Sequence, residues 1–396
     1  MQATQVLHKI MKKAGAHLHK TRATALEAVV LSALFGRRLT VTDLGRSIQS
    51  ETSHKHNIKR ADRLLSNPHL HHESETIYGA LSQHIIGAKM RPIVLIDWSD
   101  MDEYKQHFLL RAALAVDGRA LTLYEQPHAM ETKEKPSTHR QFLNQLKTLL
   151  PEGCKPILIT DAGFRTPWFK LVEEMGWDWV GRVRNRHDIR WTQGGPWFDA
   201  KKCYKKATNR SRLLGTGLLT KRHQHPCQFV IYKNKPQGRK HKNRFGDIAR
   251  NSHSRKQAAG QNEPWLLATS LTATSTLAKK VVKLYRSRMQ IEEGFRDIKS
   301  HRFGLSLNYH RTESVKRLQM LLLIATLALM VLWLMGMAVM LLGQHYQYQA
   351  NSVRHRKVLS VIFVGLQVIH DTRIRLSKSD IETAWQQLMA VQQHHD

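Results

Sequence analysis

Two stretches, Pro92–Asp97 (PIVLID) and Pro156–Asp161 (PILITD), decide the fold: each is a short apolar run that ends in a carboxylate. Such runs suit buried strands. Working outward from the first, His107–Val116 (HFLLRAALAV) and Ala120–Gln126 (ALTLYEQ) are separated by Asp117-Gly118, a hairpin turn signal. Ser137–Leu150 reads as a helix with a serine-capped start. Beyond the second run, Thr166–Met175 is helical, Gly176 ends it, and Trp177–Val183 (WDWVGRV) is a further strand. A hairpin followed by alternating helices and strands predicts a mixed α/β sheet. A carboxylate at the C-terminal end of a strand sits where α/β proteins place ligand sites, which makes Asp97 and Asp161 candidates. An Asp there also suits a turn or helix cap, and neither run alone separates the two.

Residues 1–75 read as short helices. Thr24–Phe35 is apolar, Gly36 punctuates, Val41–Ile48 has Thr40 or Thr42 as its cap, and His54–Ser66 is a basic helix containing Lys59 and Arg60. The arrangement fits a helix-turn-helix-like DNA binder as well as any small helical bundle. Residues 185–264 lose regularity. Short β-like runs surround a basic stretch, Lys233–Lys256, in which Lys240, Lys242 and Arg244 stand with the single acid Asp247. This predicts a β-rich insertion with a basic loop, which either contacts a polyanion or is a solvated linker. Ser275 is the expected cap of a long helix through Lys299. There is no internal repeat.

The chain has 396 residues, and its 62 Lys and Arg against 31 Asp and Glu give a net charge of +31. With 41% hydrophobic and 23% charged residues, the composition is globular and excludes disordered, collagen-like and disulfide-stapled chains. A surplus this large opposes compaction unless a polyanion supplies the missing charge, with nucleic acid first and an anionic membrane second. Three scattered cysteines (Cys154, Cys203, Cys227) fit a reducing cytosol rather than a zinc cluster. The N-terminus lacks the apolar core of a secretory signal. Met320–Gly343 carries no charge and is long enough to span a bilayer. Basic residues flank it on both sides, so orientation bias is absent, and a buried core helix is the favoured reading.

The predicted helix Ser275–Lys299 contains Tyr285, Arg288, Glu292 and Lys299. At about 100° per residue, one straight helix places all four within a wedge of about 60°, with Glu293 and Asp297 well away. These residues form a Y-x2-R-x3-E-x6-K pattern. With IVLIDWSD, DAGFRTPWFKLVEEMGWDWVGRVR, EPWLLATSL, YRSRMQIEEGFRDIKS and NSVRHRKVLS, the sequence resembles the DDE transposases of the insertion-sequence-four family, in the hairpin-forming, cut-and-paste branch typified by transposon Ten.

The resemblance implies a ribonuclease-H-like mixed sheet with flanking helices, a β-rich insertion before the last catalytic helix, and helical N- and C-terminal regions. It implies that Asp97, Asp161 and Glu292 are the catalytic, metal-holding acids. Three carboxylates without clustered Cys or His suit a hard ion, two Mg2+ with Mn2+ as a substitute. Tyr285, Arg288 and Lys299 then hold DNA phosphates, and Trp265 stacks on a flipped base or is a core residue. Lys59, Arg60, Lys240, Lys242 and Arg244 are expected DNA contacts. The expected segments are 1–75 for end binding, 76–184 and 275–345 for the catalytic core, 185–274 for the insertion and 346–396 for a helical region that could pair protomers. The partners implied are double-stranded transposon ends, target DNA and a second copy of the chain, without a membrane, in the bacterial cytoplasm at the nucleoid. A metal-dependent nuclease without strand transfer and a non-enzymatic basic DNA-binding protein are the alternatives.

Overall fold

The computed structural model describes residues 1–396 except 103, 117, 185–186, 236–246, 249–251, 253–259, 261, 354 and 394–396. Lys240, Lys242 and Arg244, and the Asp117 of the hairpin turn, lie outside the described residues. The chain divides into two compact units, Met1–Cys154 with Met289–Asp396, and Lys155–Arg288.

The first unit holds an antiparallel meander, β1 (Ile93–Asp100), β2 (His107–Val116) and β3 (Arg119–Ala129). Every residue of β2 is buried, as expected for a strand covered on both faces. Helices α1 (Ala3–Ala14), α2 (Lys20–Gly36), α3 (Val41–Arg46), α4 (His54–Leu65) and α5 (Pro68–Ile86) precede the meander, and α6 (Pro136–Leu149) follows it. Thr40 caps α3, its hydroxyl accepting the Asp43 N–H at 3.1 Å, one of the two caps anticipated. The expected serine cap of α6 is corrected: Lys135 occupies that position without a side-chain bond. Pro136 stands at the first helical position, where its missing N–H costs nothing and its fixed φ starts the helix one residue early.

The second unit begins with a β–α–β element. Strand β4 (Ile157–Thr160) leads through α7 (Thr166–Glu174) to β5 (Asp178–Val183), which runs parallel to β4. Antiparallel strands then extend from β5 in the order β10 (Trp265–Thr269), β9 (His225–Tyr232), β8 (Arg212–Leu219), β6 (Asp188–Trp191) and β7 (Phe198–Asp199). Phe169 of α7 stacks on Trp179 of β5 with centroids 3.9 Å apart. Gly181 makes room for that ring, since a Cβ there would lie 2.5 Å from it. The fold is mixed α/β, and three antiparallel strands, a helix, a strand, a helix and a strand form the expected ribonuclease-H-like element order, with a β-rich insertion before the last helices.

The long helix expected at 275–299 is also corrected. It is two helices, α8 (Leu277–Ser287) and α9 (Met289–Lys299). Thr276, not Ser275, precedes α8, and it makes no side-chain cap. The break has a local cause. Ser287 Oγ donates to the Leu284 carbonyl at 2.6 Å, the acceptor a continuous helix would offer to Arg288. The Arg288 N–H bonds instead to Tyr285 O at 3.2 Å. Side-chain competition for a helical carbonyl bends or breaks helices in this way. Within α9, Glu292 and Lys299 remain about 20° apart around the axis.

The uncharged segment lies in α10 (Val315–Leu341), whose most apolar stretch is 89% buried. It packs against α2, β3 and two later helices, α11 (Val361–Val368) and α12 (Lys378–Gln393). It is a core helix of the first unit. Gly336 brings α10 and α11 into backbone contact: a Cβ there would lie 2.0 Å from the Val361 carbonyl oxygen.

Candidate active site

In the first unit, Asp97 is the last buried residue of β1, 9% exposed, with Oδ1 accepting the Trp98 N–H at 2.9 Å. Its partner across the strand pair is Arg111 of β2, and Arg111 in turn pairs with Glu125 of β3. Three charged residues thus form one row across the meander. The Arg111 guanidinium donates to Glu125 Oε2 through Nε at 2.8 Å and through Nη2.

Glu292 lies in the first turn of α9, and its face of the helix is fixed at the far end by Lys299. The Lys299 ammonium donates to Ser99 Oγ at 2.6 Å and to the Asp100 carbonyl, at the end of β1. Burial pushes the Lys299 pKa down to about 8, an effect strengthened by Arg111 and opposed by Asp100 and Asp97. The helix bearing Glu292 is therefore anchored to the strand bearing Asp97. The neighbouring acids are engaged elsewhere: Glu293 pairs with Arg296 at 2.8 Å and with Arg119 at 3.7 Å, and Asp297 pairs with Arg119 at 2.7 Å. Burial raises the Asp297 carboxyl to about 6 despite that partner.

In the second unit, Asp161 follows β4, and its Oδ1 accepts the Gly163 N–H at 2.7 Å. The turn-capping arrangement anticipated for such an Asp is present, and one carboxylate oxygen is used in it. Tyr285 of α8 is buried, 5.0 Å from the Trp265 ring in an edge-on arrangement, with the Arg288 guanidinium 5.8 Å from its own ring centre. Burial raises the Tyr285 hydroxyl pKa. Arg288 and Arg182 oppose the rise, the latter through a hydrogen bond, and the Asp161 charge adds to it. Tyr285, Arg288, Asp161 and Trp265 therefore share one neighbourhood. Trp265 opens β10, partly exposed between Tyr232 (5.7 Å) and Tyr285.

Arg182 was not singled out in the sequence, although it is the one cation in WDWVGRV. It donates to Glu263 at 3.2 Å, and Arg184 donates to the same carboxylate at 2.6 Å. Arg111 and Glu125 were also missed. Each is the lone charge in an otherwise buried strand segment, which was the available signal.

Lys59 is exposed and Arg60 half-buried on α4. The first unit also carries a cleft of about 880 Å³ between the α2–α3 turn and the segment leading into α10. Arg38, Arg46, Arg311 and Arg317 line it with Tyr309, against the acids Asp43 and Glu313. Arg317 is tied to Asp62 at 2.6 Å, while Arg38, Arg46 and Arg311 are exposed, as is Tyr309. Arg38 and Arg46 lie in the helical region where a DNA contact was expected.

Among the described residues, no group of three or more His, Cys, Asp or Glu is arranged to hold a metal. The donor chemistry of the predicted acids still fits a hard ion: carboxylate oxygens rather than sulfur or imidazole.

A comparison with curated proteins returned no match. Residues 88–330, more than half of the chain, match the family described as transposase DDE domain. That span takes in Asp97, Asp161 and Glu292 together with Tyr285, Arg288 and Lys299, and by it the chain belongs to the DDE transposases, enzymes that act on DNA.

Proposed function

We propose that this enzyme excises a mobile element by a cut-and-paste route and joins the freed 3′-OH ends to target DNA, with hairpin closure of the element's ends as an intermediate step. The observation that carries the reading is the transposase domain match over residues 88–330, which contains the complete Y-R-E-K pattern and both candidate aspartates, Asp97 and Asp161.

Asp97, Asp161 and Glu292 are the proposed ligands of two Mg2+ ions. Bound there, the ions would activate an attacking oxygen and stabilise a leaving one. The chain's own groups have separate tasks. Arg288 and Lys299 hold phosphates beside the acids. The Tyr285 hydroxyl donates a hydrogen bond to a phosphate oxygen. Trp265, partly exposed at the start of β10, offers a face to a base turned out of the stack, a contact of about 1–3 kcal/mol. The cleft with Arg38, Arg46 and Arg311 supports DNA binding by the N-terminal helices, joined by Lys59 and Arg60 on α4. In this reading residues 1–75 bind the ends, 76–184 and 275–345 carry out catalysis, 185–274 form the insertion with its basic loop, and 346–396 pair two protomers. The enzyme works at the bacterial nucleoid.

The test uses purified protein, Mg2+, a labelled pre-cleaved end with a free 3′-OH, and a supercoiled plasmid. Covalent joining of label to plasmid supports the reading. Cleavage of intact ends without joining refutes transposition in favour of a nuclease, and DNA binding without cleavage refutes both.

A further inference from the structure

Glu125 is a buried carboxylate with four hydrogen bonds from three elements. Its Oε2 accepts Nε and Nη2 of Arg111 on β2, and its Oε1 accepts the Tyr78 hydroxyl of α5 at 3.0 Å and the Thr326 hydroxyl of α10 at 2.8 Å. Arg111 and Glu125 are 2% and 1% exposed. A buried ion pair of this kind contributes little net stability compared with apolar residues of the same shape, because desolvation offsets the attraction. Stability alone therefore does not account for it.

The guanidinium has a second neighbour. Its centre lies 4.9 Å from the middle of the Phe295 ring on α9. Gly294, the preceding residue, also faces the meander: a Cβ there would stand in ordinary contact, 3.8 Å, with both Arg111 Nη1 and the Ala120 carbonyl. Phe295 is three residues after Glu292 and four before Lys299, so it lies near the face of α9 that carries both. Lys299 Nζ is 5.6 Å from the same ring. On its other side Arg111 is the cross-strand neighbour of Asp97, which places the two side chains on the same face of the sheet. One guanidinium, its plane fixed by Glu125, thus supports the helix of one proposed acid and adjoins the strand of another.

We propose that Arg111 is a positioning residue for strand cleavage: clamped by Glu125, it seats α9 on the meander through Phe295 and so sets Glu292 relative to Asp97. The inference rests on the proposed transposase reading. It predicts that the pair can be removed with little loss of fold but with loss of reaction rate and of metal affinity.

The experiment compares two variants with the wild type. The first replaces the whole polar group at once, Tyr78→Phe, Arg111→Met, Glu125→Leu and Thr326→Val, leaving no buried donor or acceptor of the cluster stranded. The second, Phe295→Leu, keeps the polar group and removes the aromatic ring against which Arg111 and Lys299 lie. Three quantities are read: the Kd for end DNA, the single-turnover rate of the first nick in Mg2+, and the Mn2+ Kd of the DNA-free protein by calorimetry. The expected result is an unchanged DNA Kd, a nicking rate lowered 10–100-fold and Mn2+ binding weakened about tenfold in both variants. If the fourfold variant fails to fold, Phe295→Leu decides by itself. Wild-type nicking and Mn2+ affinity in a folded variant overturn the inference while leaving the transposase reading intact. Absence of nicking in the wild type refutes the transposase reading, and the inference falls with it.

Discussion

Acid should loosen the strand that carries Asp97, and two histidines set the size of the effect. His128 and His139 are each 8% exposed. The Trp98 indole, next to Asp97, donates to His139 Nε2 at 3.3 Å, and its ring lies 5.3 Å from that of His128. Burial lowers both imidazoles from 6.5 to about 4, and for His139 the His128 charge adds to the effect. Between those values the unfolded chain binds the protons and the folded chain does not, so stability rises with pH across the window and falls as pH drops through it. From pH 7.5 to 5.0, one such histidine removes about 2 kcal/mol, and the two together remove about 3–4 because they interact. The assay is urea unfolding at both pH values for the wild type and for His128→Gln/His139→Gln, in which the glutamine at 139 still offers the Trp98 indole an acceptor. Other groups contribute equally to both proteins, so the difference isolates the pair. The double variant should lose about 3–4 kcal/mol less than the wild type on acidification. Parallel losses would refute the argument that these imidazoles are held neutral beneath Trp98.

Asp97→Ala, Asp161→Ala and Glu292→Ala should each abolish nicking, hairpin formation and joining on labelled ends while retaining end binding in gel shifts. Glu293→Ala, which loses only partly exposed pairs with Arg296 and Arg119, should keep most activity, and an equal loss would remove Glu292 from the site. Replacing Arg38, Arg46 and Arg311 together with Gln should flatten the log Kd against log salt slope for end DNA by up to about three units; an unchanged slope would exclude the cleft from phosphate contact. Gly336→Ala should destabilise the first unit by about 1–3 kcal/mol in thermal unfolding. Its Cβ would meet the Val361 carbonyl, and a gain in helix propensity of about 1 kcal/mol offsets only part of that.

The sequence by itself determined the strand that carries Asp97, the strand that leads into Asp161, the hairpin and helix between them, the helix after Asp161, and the Y-R-E-K pattern. These are local signals: apolar period, turn residues and a spacing pattern survive without knowledge of neighbours. It also marked Met320–Gly343 as apolar, but composition cannot tell lipid from protein as the surrounding medium, and the packing of α10 against four other elements settled that. One local feature escaped the pattern: the Ser287 hydroxyl takes the Leu284 carbonyl where the helix is interrupted at Arg288, a competition that the periodicity of the helix does not record. Tertiary structure alone decided two further matters. Glu293 and Asp297 are drawn to Arg119, more than 170 residues earlier in the chain. The row Asp97, Arg111, Glu125 exists only because strand register aligns three positions whose order along the chain carries no sign of it. A charge inside an apolar strand is visible in sequence, but the partner that makes its burial tolerable is chosen by register, which is a property of the folded sheet.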